Sequence, residues 1–404
     1  MSSDARRAVR DARRVSGKSL RPALLFCAFV TFSAVSCLVW AQAVAPADQT
    51  EQLHSPRAIF QQADNAYRRG DVDQAIRLYE KFLQLEPNSV AGRANLGAAL
   101  AHAGRYTDAV TQYEEALKRG PENPAVRLNL ALAWYKQAAF EKAAAQFERL
   151  RAEDPENRQS LYLLADCYLR LGRNRDAVAL LQPVYDAGPE DRAVEFALGM
   201  AFLRDGQTAK AEGMIDSVMK SGSSAQADLL LGASQLAAGD GRAAAPTLHR
   251  ALEADPTLPG GWSLYGRALL DAADLQGAID SFHRALSADP NDFEANLYLG
   301  GMLRHDGNLA QAAPYLEKAI LLRPASSEAG FQLGMLNLAE GRLEDARKYL
   351  EQAEQESPDF QEVHAELAVL YARLKRNDDS QRERSIVLKL DDEAREKATR
   401  KQPQ

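Results

Sequence analysis

Eight prolines recur at a nearly constant interval along the chain, and this interval constrains the fold more than any other feature of the sequence. The step in numbering from one proline to the next is 34, except for one step of 67, which predicts one missing proline and one deleted residue near 221–224. The prolines are Pro87, Pro121, Pro155, Pro189, Pro256, Pro290, Pro324 and Pro358. A period of this length indicates an array of similar structural units rather than one globular core.

Other columns of residues repeat in register with the prolines. A small residue stands 24 positions before each proline and a large apolar residue stands eight positions before it. Glycine stands 17 positions before six of the eight prolines, with Ala138 and Ala273 as the exceptions. Alanine stands twelve positions before every proline, and we interpret these alanines as structural positions of the repeat: Ala75, Ala109, Ala143, Ala177, Ala244, Ala278, Ala312 and Ala346.

These columns predict two amphipathic helices in each unit. Apolar residues recur at helical spacing on both sides of the glycine, and glycine suits the positive φ at which a first helix ends. Proline cannot continue a helix and therefore follows the end of the second one. Because one helix pair cannot bury both of its faces, the units must stack, and the predicted fold is an all-α solenoid.

The pattern resembles the tetratricopeptide repeat (TPR), and the resemblance covers about ten units. The unit at 192–224 lacks the proline but keeps Gly206 and Ala211. In the last unit Arg376 and Ser380 are interpreted as replacing the glycine and the alanine, as expected of a capping repeat. The predicted units are 56–89, 90–123, 124–157, 158–191, 192–224, 225–258, 259–292, 293–326, 327–360 and 361–390, followed by a charged tail at 391–404.

The first 43 residues are predicted to form a separate segment for export. Seven basic residues precede an uncharged run over 22–40, and Ala41-Gln42-Ala43 follows that run. This order predicts either a signal peptide cleaved after Ala43 or a retained membrane anchor, because the uncharged run is long enough to span a bilayer. Residues 44–55 are predicted to be a linker. Both alternatives place the repeats outside the cytoplasm, in a periplasmic, secreted or membrane-anchored form.

Composition argues against several functional classes. The formal net charge is −7, which disfavours nucleic acid as a partner. The chain contains no HExxH, GxSxG or P-loop motif. Since the predicted repeats leave no room for a catalytic domain, we expect no enzymatic activity, no catalytic residues and no cofactor.

A metal site is not expected from the sequence either. His249 and His283 occupy equivalent positions of consecutive units in near-identical strings, so stacked helices would hold them about 8–10 Å apart, too far to share a metal. The other histidines show no ligand spacing. Cys167 is the only cysteine after residue 43 and is interpreted as a buried apolar side chain.

The resemblance implies that the first helices of the units line a concave groove that binds peptides or protein segments. Three columns, at positions 27, 23 and 20 before each proline, share one face of these helices. Basic residues follow the third column in early units, whereas Asp271 stands there in a later unit and a further column supplies Glu294, Glu328 and Glu362. The predicted groove residues are Leu128, Leu132, Tyr135, Lys136, Arg170, Phe196, Met200, Leu203, Arg204, Phe331, Met335 and Leu338.

Two alternatives remain open for these residues. The apolar side chains either contact a ligand or pack against adjacent helices, and the charges either orient a partner or form a solvated face. The family often has asparagine in the middle column, but no unit of this chain has it, so recognition of an acidic chaperone tail is not expected.

The function predicted from the sequence is a non-enzymatic scaffold that binds protein or peptide partners, in envelope assembly or secretion. The alternative is a subunit that recruits substrates for an enzyme acting in trans, such as a glycosyltransferase. The membrane is expected to be contacted only through the N-terminal segment.

Overall fold

The computed structural model describes residues 55–188, 191–220 and 224–400, and these belong to one compact unit, Leu53–Gln404. The predicted export segment and residues 44–54 of the predicted linker lie outside the described residues. Within the described part there are 20 helices and no strand, and each helix packs against the next one along the chain. The fold is therefore the α-solenoid that the sequence predicts.

The helices form ten pairs. They are α1 (Pro56–Arg68), α2 (Val72–Leu85), α3 (Val90–His102), α4 (Tyr106–Arg119), α5 (Pro124–Lys136), α6 (Phe140–Glu153), α7 (Arg158–Leu171), α8 (Asn174–Ala187), α9 (Arg192–Arg204), α10 (Thr208–Lys220), α11 (Ser224–Ala237), α12 (Gly241–Ala254), α13 (Gly261–Asp271), α14 (Leu275–Ala288), α15 (Phe293–His305), α16 (Leu309–Leu322), α17 (Ser327–Ala339), α18 (Leu343–Glu356), α19 (Gln361–Arg373) and α20 (Asn377–Arg400).

The turn inside each pair uses one residue in the left-handed backbone region. Seven of these residues are glycines, among them Gly104 at φ 74° and Gly206 at φ 74° in the unit without a proline. Ala138 at φ 58° and Ala273 at φ 64° adopt the same conformation although they carry a Cβ. In the last unit the residue is Lys375 at φ 58°, so the interpretation that Arg376 takes the place of the glycine is wrong by one position.

The small and large columns pack against each other within a unit. A Cβ at Gly97 would lie 2.6 Å from the Tyr113 ring, and one at Gly266 would lie 2.7 Å from the Phe282 ring. Real Cβ atoms do not approach other atoms so closely. The large side chain of one column therefore fits only because the facing residue of the other column is small. All eight alanines of the repeat column are 0 % exposed.

The last unit ends differently from the others. Helix α20 contains 24 residues and continues to Arg400, so residue 390 does not mark the end of a helix. The hydroxyl of Ser380, in the alanine column, donates a 2.7 Å hydrogen bond to the carbonyl of Ala368 on α19.

Among the described residues, no helix combines the length and the apolar character needed to cross a bilayer.

Candidate binding groove

Three predicted groove residues lie on α5. Leu128, Leu132 and Tyr135 are partly buried and pack against a cluster that includes side chains of α6 and α7. The Tyr135 hydroxyl donates a 2.5 Å hydrogen bond to Asp166 on α7. Burial and this carboxylate raise the pKa of Tyr135, so the phenol stays neutral. Tyr135 is thus fixed in orientation, whereas the two leucines keep part of their surface accessible.

On α9 the predicted groove residues differ in burial. Phe196 is partly buried, but Met200 is 6 % exposed and Leu203 is 7 % exposed within the same hydrophobic cluster. Met200 and Leu203 therefore pack in the core of the array in this structure. They offer almost no surface to a partner.

The third group lies on α17. Phe331 and Met335 are partly buried, and Leu338 is 8 % exposed. The Phe331 ring lies 5.3 Å from the Phe360 ring, measured between centroids. Leu338 belongs to the hydrophobic cluster of α17–α19, and Phe331 and Met335 pack against this cluster. This cluster differs from the one against which the α5 residues pack.

The predicted cations are placed in two ways. Lys136 and Arg204 are exposed, and Arg204 donates a 3.2 Å hydrogen bond from Nη1 to the carbonyl of Leu169. Arg170 is partly buried and pairs with Asp166 and Asp289, with both N–O distances at 2.7 Å. Burial alone would lower the pKa of Arg170, but these carboxylates raise it well above its ordinary value.

The pair between Arg170 and Asp289 connects parts of the chain that are 119 residues apart. Arg170 lies in the last turn of α7 in the fourth unit, whereas Asp289 follows α14 in the seventh unit. The array therefore contacts itself, and units four and seven approach each other. We call the contact made by Arg170, Asp289 and Arg323 the cross-array clasp.

Arg323 makes the second part of the cross-array clasp. Its Nε donates a 2.5 Å hydrogen bond to the carbonyl of Arg170, and its Nη2 donates one of 3.4 Å to the carbonyl of Leu169. These carbonyls lie in the last turn of α7, where the i→i+4 partners of a helix end, and the Leu169 carbonyl also accepts from the Gly172 N–H. The Arg323 guanidinium also lies 3.9 Å from the centroid of the Phe293 ring.

The electrostatics of Arg323 reflect this enclosed position. The pKa of Arg323 is lowered to about 10. Burial is the main cause, the charge of Glu294 partly offsets it, and the charge of Arg204 lowers the pKa further. The Arg323 Nη1 lies 3.4 Å from a Glu294 oxygen. One hydrophobic cluster contains buried side chains from both α5–α9 and α15–α17, so the cross-array clasp has apolar support.

Sequence reasoning missed Asp289 and Arg323 as groove residues. Both stand directly before a unit-ending proline, a position occupied elsewhere by Glu86, Asp154 and Asp255. Arg323 is the one arginine in this mostly acidic or glycine column. That reversal of charge was a signal, although its partner could not be found without the structure.

No catalytic arrangement accompanies the groove in the described residues. Burial, followed by the charge of Asp166, raises the pKa of the Cys167 thiol, so this cysteine is not an activated nucleophile. Glu354, His364 and Glu383 form the one group of three in the described ranges whose potential ligand atoms lie within 4.8 Å of one another. Both His364 nitrogens already have hydrogen-bond partners, Glu383 and Pro358. We therefore assign no metal to this group.

A cleft of about 660 Å³ lies outside the predicted groove. Second helices α14 and α16 flank it with Ile279, His283, Tyr315 and Lys318, and Met302 of α15 lines it as well. It contains none of the predicted groove residues.

The fold and the groove define this chain as a helical-repeat scaffold. Models of the tetratricopeptide repeat match residues 60–124, 103–158, 196–259, 229–292 and 264–329, and a second model of this repeat matches 135–194 and 337–392. The chain belongs to the tetratricopeptide repeat family. Repeats of this family generally mediate protein–protein interactions, and its members are typically non-catalytic.

Solved structures share the fold at low sequence identity. A tetratricopeptide repeat protein from Parabacteroides merdae is 17 % identical, with a TM-score of 0.52 over 60 % of this chain and 97 % of that one. A chain of the APC/C hetero-tetramer Cut9-Hcn1 is 13 % identical, with a TM-score of 0.51 over 85 % of this chain and 88 % of that one. No curated protein matches the sequence.

Proposed function

We propose that the chain is a non-enzymatic scaffold that binds an apolar protein segment on the concave side of its first three units. The observation that carries this proposal is the partly exposed apolar surface of α3 and α5. Ala94, Ala98 and Ala101 follow one another along the groove columns of α3, and Leu128 and Leu132 occupy the same columns on α5. The short alanine side chains form a shallow surface, and the larger leucine side chains border it.

The charge around this surface favours a partner with carboxylates. Arg68 and Lys136 are exposed at the ends of α1 and α5, beside the third groove column. Exposed cations at a rim change the association rate and its salt dependence more than the final affinity. The cross-array clasp contacts the array from the fourth unit onward, so we place the segment on units one to three.

In-cell photo-crosslinking tests the proposal. A crosslinking amino acid replaces Ala98 or Leu128, and the control replaces Arg149, which is exposed on the second helix α6. We expect the groove positions to capture one partner that the Arg149 position does not capture. With the purified partner, Leu132→Ala should then weaken binding by about 1–3 kcal/mol, as a moderate hot spot does. Capture from Arg149 alone would contradict the groove assignment.

We further propose that the scaffold acts outside the cytoplasm, in envelope assembly or secretion. The support is the basic, uncharged and small-residue order of residues 6–43. N-terminal sequencing of the chain from cell fractions tests it. A start near Val44 or a membrane-bound full-length chain supports export, whereas an intact cytosolic chain contradicts it.

A further inference from the structure

A hydrogen bond to the unit-ending proline recurs in five units of the array. In each case the side chain six residues after the proline donates to the carbonyl of that proline. The donors are of four chemical types, so the contact is kept although the side chain changes. They are Arg93, Arg127, Trp262, Asn296 and His364, at donor–acceptor distances of 3.0, 2.5, 3.0, 3.2 and 2.9 Å.

In the second and third units the same side chain also bridges to the next helix. Arg93 donates to the Gln112 oxygen at 3.1 Å, and Arg127 donates to the Gln146 oxygen at 3.3 Å, each 19 residues downstream. In the tenth unit His364 Nδ1 lies 2.8 Å from Glu383 Oε2, also 19 residues downstream. His364 therefore occupies the place of a permanently charged guanidinium.

Both partners of His364 determine its protonation. A peptide carbonyl only accepts hydrogen bonds, so Nε2 carries a proton toward Pro358. Glu383 Oε1 accepts a 3.1 Å hydrogen bond from Arg382, which favours the ionised carboxylate. Nδ1 must then donate to Glu383 as well, and the ring is an imidazolium.

The imidazolium lies between three elements of the array. Helix α18 contributes Glu354, α20 contributes Glu383 with Arg382 behind it, and the turn before α19 contributes the Pro358 carbonyl. His364 is 2 % exposed and Glu383 is 0 % exposed. Burial lowers the pKa of His364, but its hydrogen bonds and the charges of Glu383 and Glu354 raise it further, so the net shift is upward.

We propose that His364 and Glu383 form a proton-dependent latch that holds the terminal helix α20 on the array. Each internal second helix is covered by the next unit, but the described residues contain no unit after α20. Its Leu388 is 64 % exposed as a result. The latch is one of the few buried polar contacts of α20, so its loss loosens this helix before the rest of the array.

The direction of the pH effect follows from the shift. A group whose pKa is raised by folding stabilises the fold below its unfolded pKa, about 6.5 for histidine, and this contribution is lost as pH rises through the folded pKa. The pKa of Glu354 is also raised, by burial and then by Glu383, so its contribution changes in the same direction at lower pH. The latch is closed in mild acid and opens in alkali.

Hydrogen exchange of the full chain between pH 6 and pH 9, corrected for intrinsic rates, tests the latch. We expect the protection of α20 amides to fall as pH rises. The fall should be about tenfold for each pH unit by which the pKa of His364 in the folded chain exceeds its pKa in the unfolded chain. Amides of α4 and α6, which the bridges from Arg93 and Arg127 reach, should keep their protection. Unchanged protection of α20 over this range would overturn the proposal.

Two variants separate the latch from general effects of pH. His364→Arg restores the guanidinium of the second and third units, and Glu383→Gln restores their amide acceptor. His364→Arg should remove the pH dependence of α20, and Glu383→Gln should reduce it, because the Pro358 carbonyl and Glu354 remain beside His364. An undiminished pH dependence in either folded variant would overturn the latch. NMR titration of the His364 ring in the unaltered chain gives an independent measurement of its pKa, which we expect to lie above about 6.5.

Divalent cations provide the last arm of the test, because Glu354 completes a group of three potential ligands. Added Zn²⁺ should leave α20 protection unchanged at pH 6 and pH 9. Zinc stabilisation that increases with pH would mean that the group binds a metal instead of a proton, and would overturn the latch.

Discussion

The guanidinium Nε of Arg323 donates a 2.5 Å hydrogen bond to the backbone carbonyl of Arg170, 153 residues earlier in the chain. Four to five repeat units separate the two residues in sequence. The bond therefore reports the curvature of the array, since the ends of this stretch meet only if the intervening units turn back on themselves.

Removing the cross-array clasp should open the array. We expect Arg323→Ala to increase the radius of gyration measured by small-angle X-ray scattering, because the hydrogen bonds to the α7 carbonyls are lost and only the Arg170–Asp289 pair and an apolar cluster still join these parts of the array. Arg342→Ala is the control, since the Arg342 side chain bonds to Asn337 and Glu340 within its own unit. An equal radius for Arg323→Ala and the unaltered chain would show that the Arg170–Asp289 pair and the apolar contacts suffice without Arg323.

The ion pair of the clasp should contribute little by itself. The Arg170 and Asp289 side chains are 27 % and 35 % exposed, so solvent screens their interaction. A double-mutant cycle with Arg170→Gln and Asp289→Asn should give a coupling free energy of about 1 kcal/mol or less. A coupling several times larger, measured by urea unfolding, would contradict this assignment of energies.

Replacing an alanine that adopts the left-handed backbone conformation with glycine should stabilise the array. Ala138→Gly removes a backbone penalty of about 1–2 kcal/mol, while the added freedom of the unfolded chain costs about 0.5–1 kcal/mol. We expect the free energy of unfolding to rise by about 0.5–1 kcal/mol. Gly104→Ala is the matched reverse change, because a Cβ there meets no atom within 4 Å and only the backbone is strained. A loss of stability in Ala138→Gly would refute the argument.

Bulk in the alanine column should destabilise the array. Ala143 and Ala278 are 0 % exposed, so replacing either with leucine should cost about 1–3 kcal/mol by overpacking. Ala145 lies on the same helix as Ala143 but is exposed, so Ala145→Leu should change thermal unfolding very little. Equal effects at Ala143 and Ala145 would contradict the assigned register.

Leu203 should behave as a core residue. Leu203→Ala should lower the free energy of unfolding by about 2–5 kcal/mol, because the side chain is 7 % exposed in a hydrophobic cluster. Leu128→Ala, at a partly exposed position of the groove, should cost clearly less. If Leu203→Ala left unfolding in urea unchanged but weakened partner binding, Leu203 would be a contact residue instead.

Much of the array could be read from the sequence because its units are built from local interactions. The alanine that follows each turn, the glycine at the turn and the proline after the second helix all act within a single repeat unit. Gly97 and Tyr113 illustrate this, since one is small because the other is large. The error at Arg376 is one of register: the glycine stands five positions before the alanine in the other units, and Lys375 stands five positions before Ser380.

The groove was less predictable. The columns identify which residues share a helix face, but Met200 and Leu128 occupy this face with different exposure because their neighbours differ. No metal was predicted at His364 because the histidines show no ligand spacing. Its partner in the structure is Glu383 on the following helix, 19 residues downstream, where the second unit has Gln112.

The sequence by itself determined the helix pairs, their order and the packing inside each unit, because caps, turns and small–large contacts depend on residues close in the chain. Only the tertiary structure decided that Arg170 meets Asp289 and Arg323, and hence which part of the concave side stays accessible. The physical reason is that curvature accumulates from small rotations between successive units. No single unit encodes the sum of these rotations, so contacts across the array appear only when all intervening units are in place.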